Sequence, residues 1–153
     1  LLEFLVGRVV AQPDLEPLLA RQFLEVTLRD LAARLELVRA AVDLLAEQHA
    51  LDAVEDVVLA IDEACQNIIR HAYKGETDEE IILKIGMEGM ELNISLEDSA
   101  PEVSSDCMKP RELEDIRPGG VGGHFIKQGM DDVSLGPSPS GGGNILRMRK
   151  RLA

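Results

Sequence analysis

Three polar side chains recur at four-residue steps within the segment IDEACQNIIRHAYKG, residues 61–75. They are Glu63, Asn67 and His71, and an α-helix places residues four apart on one face. A glutamate carboxylate can accept a proton from a hydroxyl group or water, and an asparagine carbonyl offers Mg²⁺ a hard oxygen ligand. His71 is interpreted as a structural hydrogen-bonding residue near the helix end. Glu63 and Asn67 therefore predict either one wall of a site or the polar stripe of an ordinary surface helix.

A second candidate is the glycine-rich run in RPGGVGGHFIKQGMDDV, where Gly119, Gly120, Gly122 and Gly123 precede a helical pattern. Glycine lets the backbone approach phosphates closely, and the N–H groups at a helix start can face an anion. Such a run is weak evidence by itself, because flexible surface turns have the same composition. The segment GPSPSGGG further along is interpreted as a loop of that kind.

Composition limits the classes of partner. The chain has 153 residues, 45% of them hydrophobic, and a formal net charge of −12, which is typical of one folded acidic domain. This charge disfavours nucleic acid and anionic membrane surfaces, both of which need clustered cations. A nucleotide held by backbone N–H groups and a metal ion is compatible with it. Cys65 and Cys107 lack metal-ligand spacing, and the absence of a disulfide framework predicts a cytoplasmic location.

Hydrophobic periodicity predicts the first half of the domain. FLEVTLR (residues 23–29) alternates as a half-buried strand does. A helix is expected over residues 31–50, with an inward row of Leu31, Leu35, Val38, Val42 and Leu45. A second helix runs to about residue 72, and Asp52 with Glu55 can form its capping box. Residues 1–20, broken by Gly7, Pro13 and Pro17, are expected to be an extension or linker ahead of a domain at 21–153.

The second half contains the remaining strands. Two alternating segments, residues 81–87 and 90–96, predict a hairpin with a tight turn at Glu88-Gly89. Residues 98–118 read as a loop, and the glycine-rich run opens a short helix to about Met130. Two strands follow this helix, and the last covers 145–152. Antiparallel strands with segregated helices indicate an α+β fold, a two-layer α/β sandwich.

The motifs AIDEACQNIIRHAY, LEDSAP, RPGGVGGHFIKQGMDDV and GGNILRMRKRL, in this order, resemble the GHKL (histidine-kinase-like) ATPase superfamily. The resemblance is strongest to its RsbW-type anti-sigma-factor serine/threonine kinases and covers about residues 23–152. It implies the Bergerat ATP-binding fold, with helices over one face of a mixed, largely antiparallel sheet. It also implies ATP and Mg²⁺ as cofactors and a mobile lid over residues 101–118.

The resemblance also implies a role for individual residues and partners. Glu63 matches the general base, Asn67 the Mg²⁺ ligand, and Asp98 the aspartate that binds the adenine amino group. Positions matching the phosphate and adenine loops are Gly120, Gly122, Gly123 and Ala100. Members of this type phosphorylate a serine of an anti-sigma-factor antagonist, sequester a sigma factor, and are commonly homodimers. Arg70, Lys109, Arg111 and Arg117 are candidates for neutralising phosphate charge, although surface roles are more common for such residues.

Three departures from the family pattern are visible. Ala100 stands where a glycine is usual, which would crowd the adenine loop if that position needs a positive φ. Gly123 and His124 replace a bulkier apolar residue, and Asn144 replaces a frequent threonine. The competing hypothesis is therefore a degenerate GHKL module that binds partners with little or no nucleotide turnover. A histidine-kinase catalytic half and a purely structural acidic domain explain the motif string less well.

Overall fold

The order of helices and strands follows the predicted order. A computed structural model describes residues 22–31, 33–49, 53–75, 78–102 and 122–152. The elements in these ranges are β1 (Gln22–Leu28), α1 (Arg34–His49), α2 (Val54–Asn67), β2 (Ile81–Glu88), β3 (Glu91–Asp98), α3 (Gly122–Gly129), β4 (Asp132–Pro137) and β5 (Asn144–Arg151). The expected extension over residues 1–20 lies outside these ranges, so the domain boundary stays a prediction.

The strands form one sheet in the order β1-β2-β3-β5-β4, and all four pairings are antiparallel. Helices pack on one face, which confirms the predicted α+β two-layer architecture. The pairing also fixes where the strands end: Asp98, the last residue of β3, lies opposite both Ile81 of β2 and Asn144 of β5. One end of the sheet therefore brings together polar residues from separate parts of the sequence.

The core lies between the sheet and the helices. Side chains alternate along each strand, so the inward series Leu92, Ile94 and Leu96 is buried against the helices. Asp98 continues this series at the strand end and is also buried. Four of the five predicted inward residues of α1 are buried, but Leu35 is 46% exposed. That prediction was wrong for Leu35: α1 begins at Arg34 and not at residue 31, so Leu35 lies in its first turn, where the core does not cover the side chain.

Two predicted turns differ in detail. The β2–β3 hairpin turns at Gly89-Met90, one residue later than predicted, because Glu88 and Glu91 still pair. Gly89 has φ +62°, a conformation that glycine adopts at little cost, and Met90 is exposed in the turn. At the start of α2 the cap residue is Ala53, without a side-chain cap, and Glu55 pairs with Arg39 of α1 instead. Asp52 lies outside the described residues.

Among the helices in the described ranges, none combines the length and apolar composition needed to cross a bilayer.

Candidate active site

Helix α2 has one face toward the core and a second face toward α3. Gly129, the last residue of α3, lies so close that an added Cβ would be 3.1 Å from the carbonyl oxygen of Asp56 and 3.4 Å from the Cβ of Ala60. Ala60 and Ala64 are fully buried. Small residues on both helices thus permit close packing of α3 on the face of α2 that carries Ala60 and Ala64.

Glu63 and Asn67 border this packed face. At 100° per residue both fall within about 60° of Ala60 around the helix, and both side chains are half-buried. They belong neither to the apolar core nor to the open surface, as a site wall requires.

The Asp98 carboxylate is held in a fixed orientation at the end of β3. Its Oδ1 atom accepts the backbone N–H of Ala100 at 3.0 Å and the side-chain amide of Asn144 at 3.0 Å. Asp98 is 7% exposed and Asn144 is 3% exposed. Both of these bonds from described residues end on Oδ1, so Oδ2 receives neither of them.

Asn144 and Gly143 build this arrangement, although neither has a role predicted from the sequence. Asn144 also donates to the carbonyl oxygen of Pro101 at 3.3 Å. An added Cβ at Gly143 would lie 2.1 Å from the carbonyl oxygen of Asp98, so only glycine fits there. The signal that could have found Asn144 is the strand register, which sets it directly opposite Asp98.

Ala100 does not strain its loop. Within the described residues Lys74 is the only non-glycine residue with positive φ, so Ala100 occupies an ordinary conformation that needs no glycine. Ala100 is buried, and its N–H contributes to the Asp98 site. Alanine in place of the usual glycine therefore does not cause the backbone strain that was expected from the sequence.

The predicted phosphate-binding residues are only partly described. Gly122 and Gly123 form the start of α3, while Gly120 and residues 103–118 of the predicted lid, with its three cationic residues, lie outside the described ranges. Arg70, the remaining cation, is exposed and donates to Gln66 at 2.8 Å. His71 is also exposed, and the hydrogen bonds expected at this helix end are made by Tyr73.

A model of the histidine kinase-like ATPase domain matches residues 27–150. The chain belongs to this family. Among curated relatives, the serine-protein kinase RsbW of Listeria innocua serovar 6a is 34% identical over 92 residues, covering 55% of this chain and 59% of that protein. The serine-protein kinase RsbW of Bacillus thuringiensis strain Al Hakam is 31% identical over 94 residues, covering 56% and 58%. The matched segment thus spans just under three fifths of these relatives.

Among solved structures, the Acinetobacter baumannii histidine kinase AdeS aligns with a TM-score of 0.44 and 15% identity. The alignment covers 84% of this chain and 67% of that one.

A separate polar network lies on the side of α2 that faces α1. Arg34 Nε lies 3.1 Å from Asp62 Oδ1 without an aligned N–H···O bond, so this contact is an ion pair. Gln66 donates to the other oxygen of Asp62 at 2.7 Å. Cys65 beside them is fully buried, and desolvation raises the pKa of its thiol to about 12. The network fixes α2 against α1, and Cys65 is a neutral packing residue.

Two surface clefts have different relations to the predicted site. A cleft of about 700 Å³ lies at the opposite end of the sheet, among Asp131, Arg149 and their neighbours. A cleft of about 350 Å³ between loop 138–143 and the start of β2 reaches Asp98 and Ser99. Neither is lined by Glu63 or Asn67. The second cleft opens onto Asp98, a predicted site residue, whereas the first holds surface ion pairs.

Proposed function

We propose that this chain is an ATP-dependent protein serine kinase domain that phosphorylates an anti-sigma-factor antagonist and sequesters a sigma factor. The observation that carries the proposal is the half-buried position of Glu63 and Asn67 beside the packed face of α2. The same helix ends next to the turn that bears Asp98. Curated relatives named serine-protein kinase support the reaction class.

The proposed adenine contact rests on Asp98. Its Oδ1 is occupied by two N–H donors, so the remaining oxygen can accept a hydrogen bond from the exocyclic amino group of adenine. A buried, oriented acceptor rejects a base that lacks a donor there, because its carboxylate would be left unpaired. This chemistry favours adenine over guanine nucleotides.

The described residues fit a magnesium ion bound largely through nucleotide phosphates. Within the described ranges, no cluster of three or more histidine, cysteine or acidic residues could hold a metal. Mg²⁺ commonly binds through one or two protein oxygens together with phosphates and water, and Asn67 offers one such oxygen. When bound, the ion would neutralise negative charge on the β- and γ-phosphates. In a chain of net charge −12 this neutralisation is needed for a triphosphate to bind.

Glu63 supplies the proton acceptor in this proposal. Its carboxylate takes the proton from the acceptor serine hydroxyl as that oxygen attacks the γ-phosphorus in line with the departing ADP. Gly122 and Gly123 bring backbone N–H groups at the start of α3 toward the phosphates. We also propose that the kinase acts in the cytoplasm and that it is a homodimer. Light scattering on the purified chain would test the dimer.

The test is transfer of radiolabelled phosphate from ATP, with Mg²⁺, to candidate antagonist proteins. We expect Glu63→Gln to lower the transfer rate by about 10²- to 10⁴-fold, while the Kd for ATP stays within about twofold, since the base contributes little to ground-state binding. Glu36→Gln, at an exposed glutamate of α1, is the matched control and should transfer phosphate normally. Full activity of Glu63→Gln would exclude Glu63 as the base.

The alternative is a partner-binding module without nucleotide turnover. The sequence argument for it was Ala100, which the structure shows to be unstrained. Thermal unfolding with ATP and Mg²⁺ separates the two hypotheses, because a ligand at 100 times its Kd adds about 2.7 kcal/mol of stability. For a domain of this size that raises Tm by about 5–10 °C. No shift with ATP or ADP would favour the binding module.

A further inference from the structure

Tyr73, the only tyrosine of the chain, connects the end of α2 to the ends of two strands. Its ring is buried, with 7% exposure. The hydroxyl accepts the backbone N–H of Ser99 at 3.0 Å and donates to the carbonyl oxygen of Glu80. Ser99 directly follows Asp98, and Glu80 directly precedes Ile81, the residue paired with Asp98. One hydroxyl thus contacts the chain on both sides of the Asp98 site.

A widened helical turn brings Tyr73 to this position. After Asn67 the helix continues as a π-turn over Ile68–Ala72, and the N–H of Tyr73 bonds to Ile68 O at 3.0 Å. A π-turn acts as a one-residue insertion, which rotates the following residues by about 100°. In a regular α-helix Tyr73 would align with Asp62, on the side facing α1. The insertion turns it toward the core side that carries Ile61.

The connection bears on the site because Asn67 and Asp98 belong to different layers. Asn67 is the last residue before the widened turn, and Asp98 ends a sheet strand. Inside α2 the polar contacts of Asp62 hold the helix to α1, not to this end of the sheet. The Tyr73 hydroxyl, just beyond the end of α2, makes a direct hydrogen bond to the turn that orients the Asp98 carboxylate. Loss of it leaves the partly buried Ser99 N–H and Glu80 carbonyl without this partner, so the turn is expected to shift.

We propose that Tyr73 is a positioning residue for nucleotide recognition: its hydroxyl holds the Asp98–Ala100 turn against α2, so that the Asp98 carboxylate meets the amino group of the base. This rests on the proposed ATP-binding function. Tyr73 itself touches no reacting atom in this proposal. Its effect is on which nucleotide is bound, through the placement of Asp98.

The test compares the affinity of the 153-residue chain for ATP with that for the purine riboside triphosphate that lacks the 6-amino group. We expect the unmodified chain to prefer ATP by about 10- to 100-fold, the worth of one hydrogen bond to a charged group. Tyr73→Phe, which keeps the packed ring, should reduce this preference to about threefold or less. In an Asp98→Asn background, where the preference is already lost, Tyr73→Phe should change the ratio no further.

The control is Val26→Ala, which opens a cavity beneath β1 at a buried position away from the turn. It should destabilise the fold but leave the ratio of the two affinities unchanged. An unchanged ratio in Tyr73→Phe would overturn this inference alone. Failure of the unmodified chain to bind either nucleotide would overturn the proposed function and this inference with it.

Discussion

Replacing Asn144 with leucine tests the structural basis of the Asp98 site. Leucine has nearly the same size and suits a strand, so the change removes the amide and little else. The amide makes a 3.0 Å bond to the Asp98 carboxylate and a 3.3 Å bond to the Pro101 carbonyl oxygen. Of the two bonds that described residues make to the carboxylate, the one from the N–H of Ala100 at 3.0 Å remains after the change.

The magnitude follows from the charge on the acceptor. A hydrogen bond to a buried carboxylate contributes about 1.5–3 kcal/mol, and the long bond to Pro101 contributes about 0.5 kcal/mol. Burial of the leucine side chain returns part of this loss, so we expect Asn144→Leu to lower the free energy of unfolding by about 2 kcal/mol. For 153 residues this lowers Tm by about 4–8 °C. The less firmly held carboxylate should also weaken ATP binding by about three- to tenfold.

The assay is urea unfolding followed by circular dichroism, with ATP affinity measured on the same preparations. Asn93→Leu makes the same chemical change on neighbouring β3, where the amide's contact within the described part of the chain is a local one of 3.4 Å with the Glu91 carbonyl oxygen. It should alter the free energy of unfolding by less than about 0.5 kcal/mol. If Asn144→Leu unfolds at the same urea concentration as the unmodified chain, the Asn144–Asp98 bond contributes nothing, and our account of the site is wrong.

Three further predictions test other parts of the structure. Burial raises the pKa of Cys65 from 9.0 to about 12. As the pH rises, the thiol therefore ionises in the unfolded chain before it does in the folded one. The free energy of unfolding should fall by about 1.5 kcal/mol between pH 7 and pH 10. Cys65→Ala should lack this part of the pH dependence in urea titrations at both pH values. Gly143→Ala should cost at least about 2 kcal/mol because its Cβ would meet Asp98 O at 2.1 Å, whereas Gly136→Ala, with open space around it, should avoid that clash. Arg34→Ala should cost about 1–3 kcal/mol in the same assay, because its partner carboxylate on α2 is largely buried; no loss would contradict a stabilising ion pair.

Local pattern was sufficient to predict most of the fold. Alternation gave β1, β2, β3 and β5, and helical spacing gave α1 and α2, because the side-chain periods of strands and helices are properties of the local backbone. Leu35 shows the limit of this reasoning. Its spacing is correct for an inward row, but the side chain is exposed, since the face a helix buries at its end depends on what packs there.

The sequence predicted which residues form the candidate site better than it predicted the contacts that hold them in place. Glu63, Asn67 and Asp98 were identified from motifs, and their proposed roles remain to be tested. The contributions of Tyr73, Gly143 and Asn144 were not predicted. Each depends on a close approach between distant segments, which composition and spacing do not encode.

The sequence by itself determined the layer architecture, the acidic charge and the polar pair on α2, because these follow from residue type and local periodicity. Only the tertiary structure decided how the Asp98 carboxylate is oriented and how α2 is joined to it. The bonds responsible link residues 46 positions apart, Asn144 and Asp98, and 26 positions apart, Tyr73 and Ser99. Such contacts exist only after strand pairing and the widened turn have brought the donors and acceptors to within hydrogen-bonding distance.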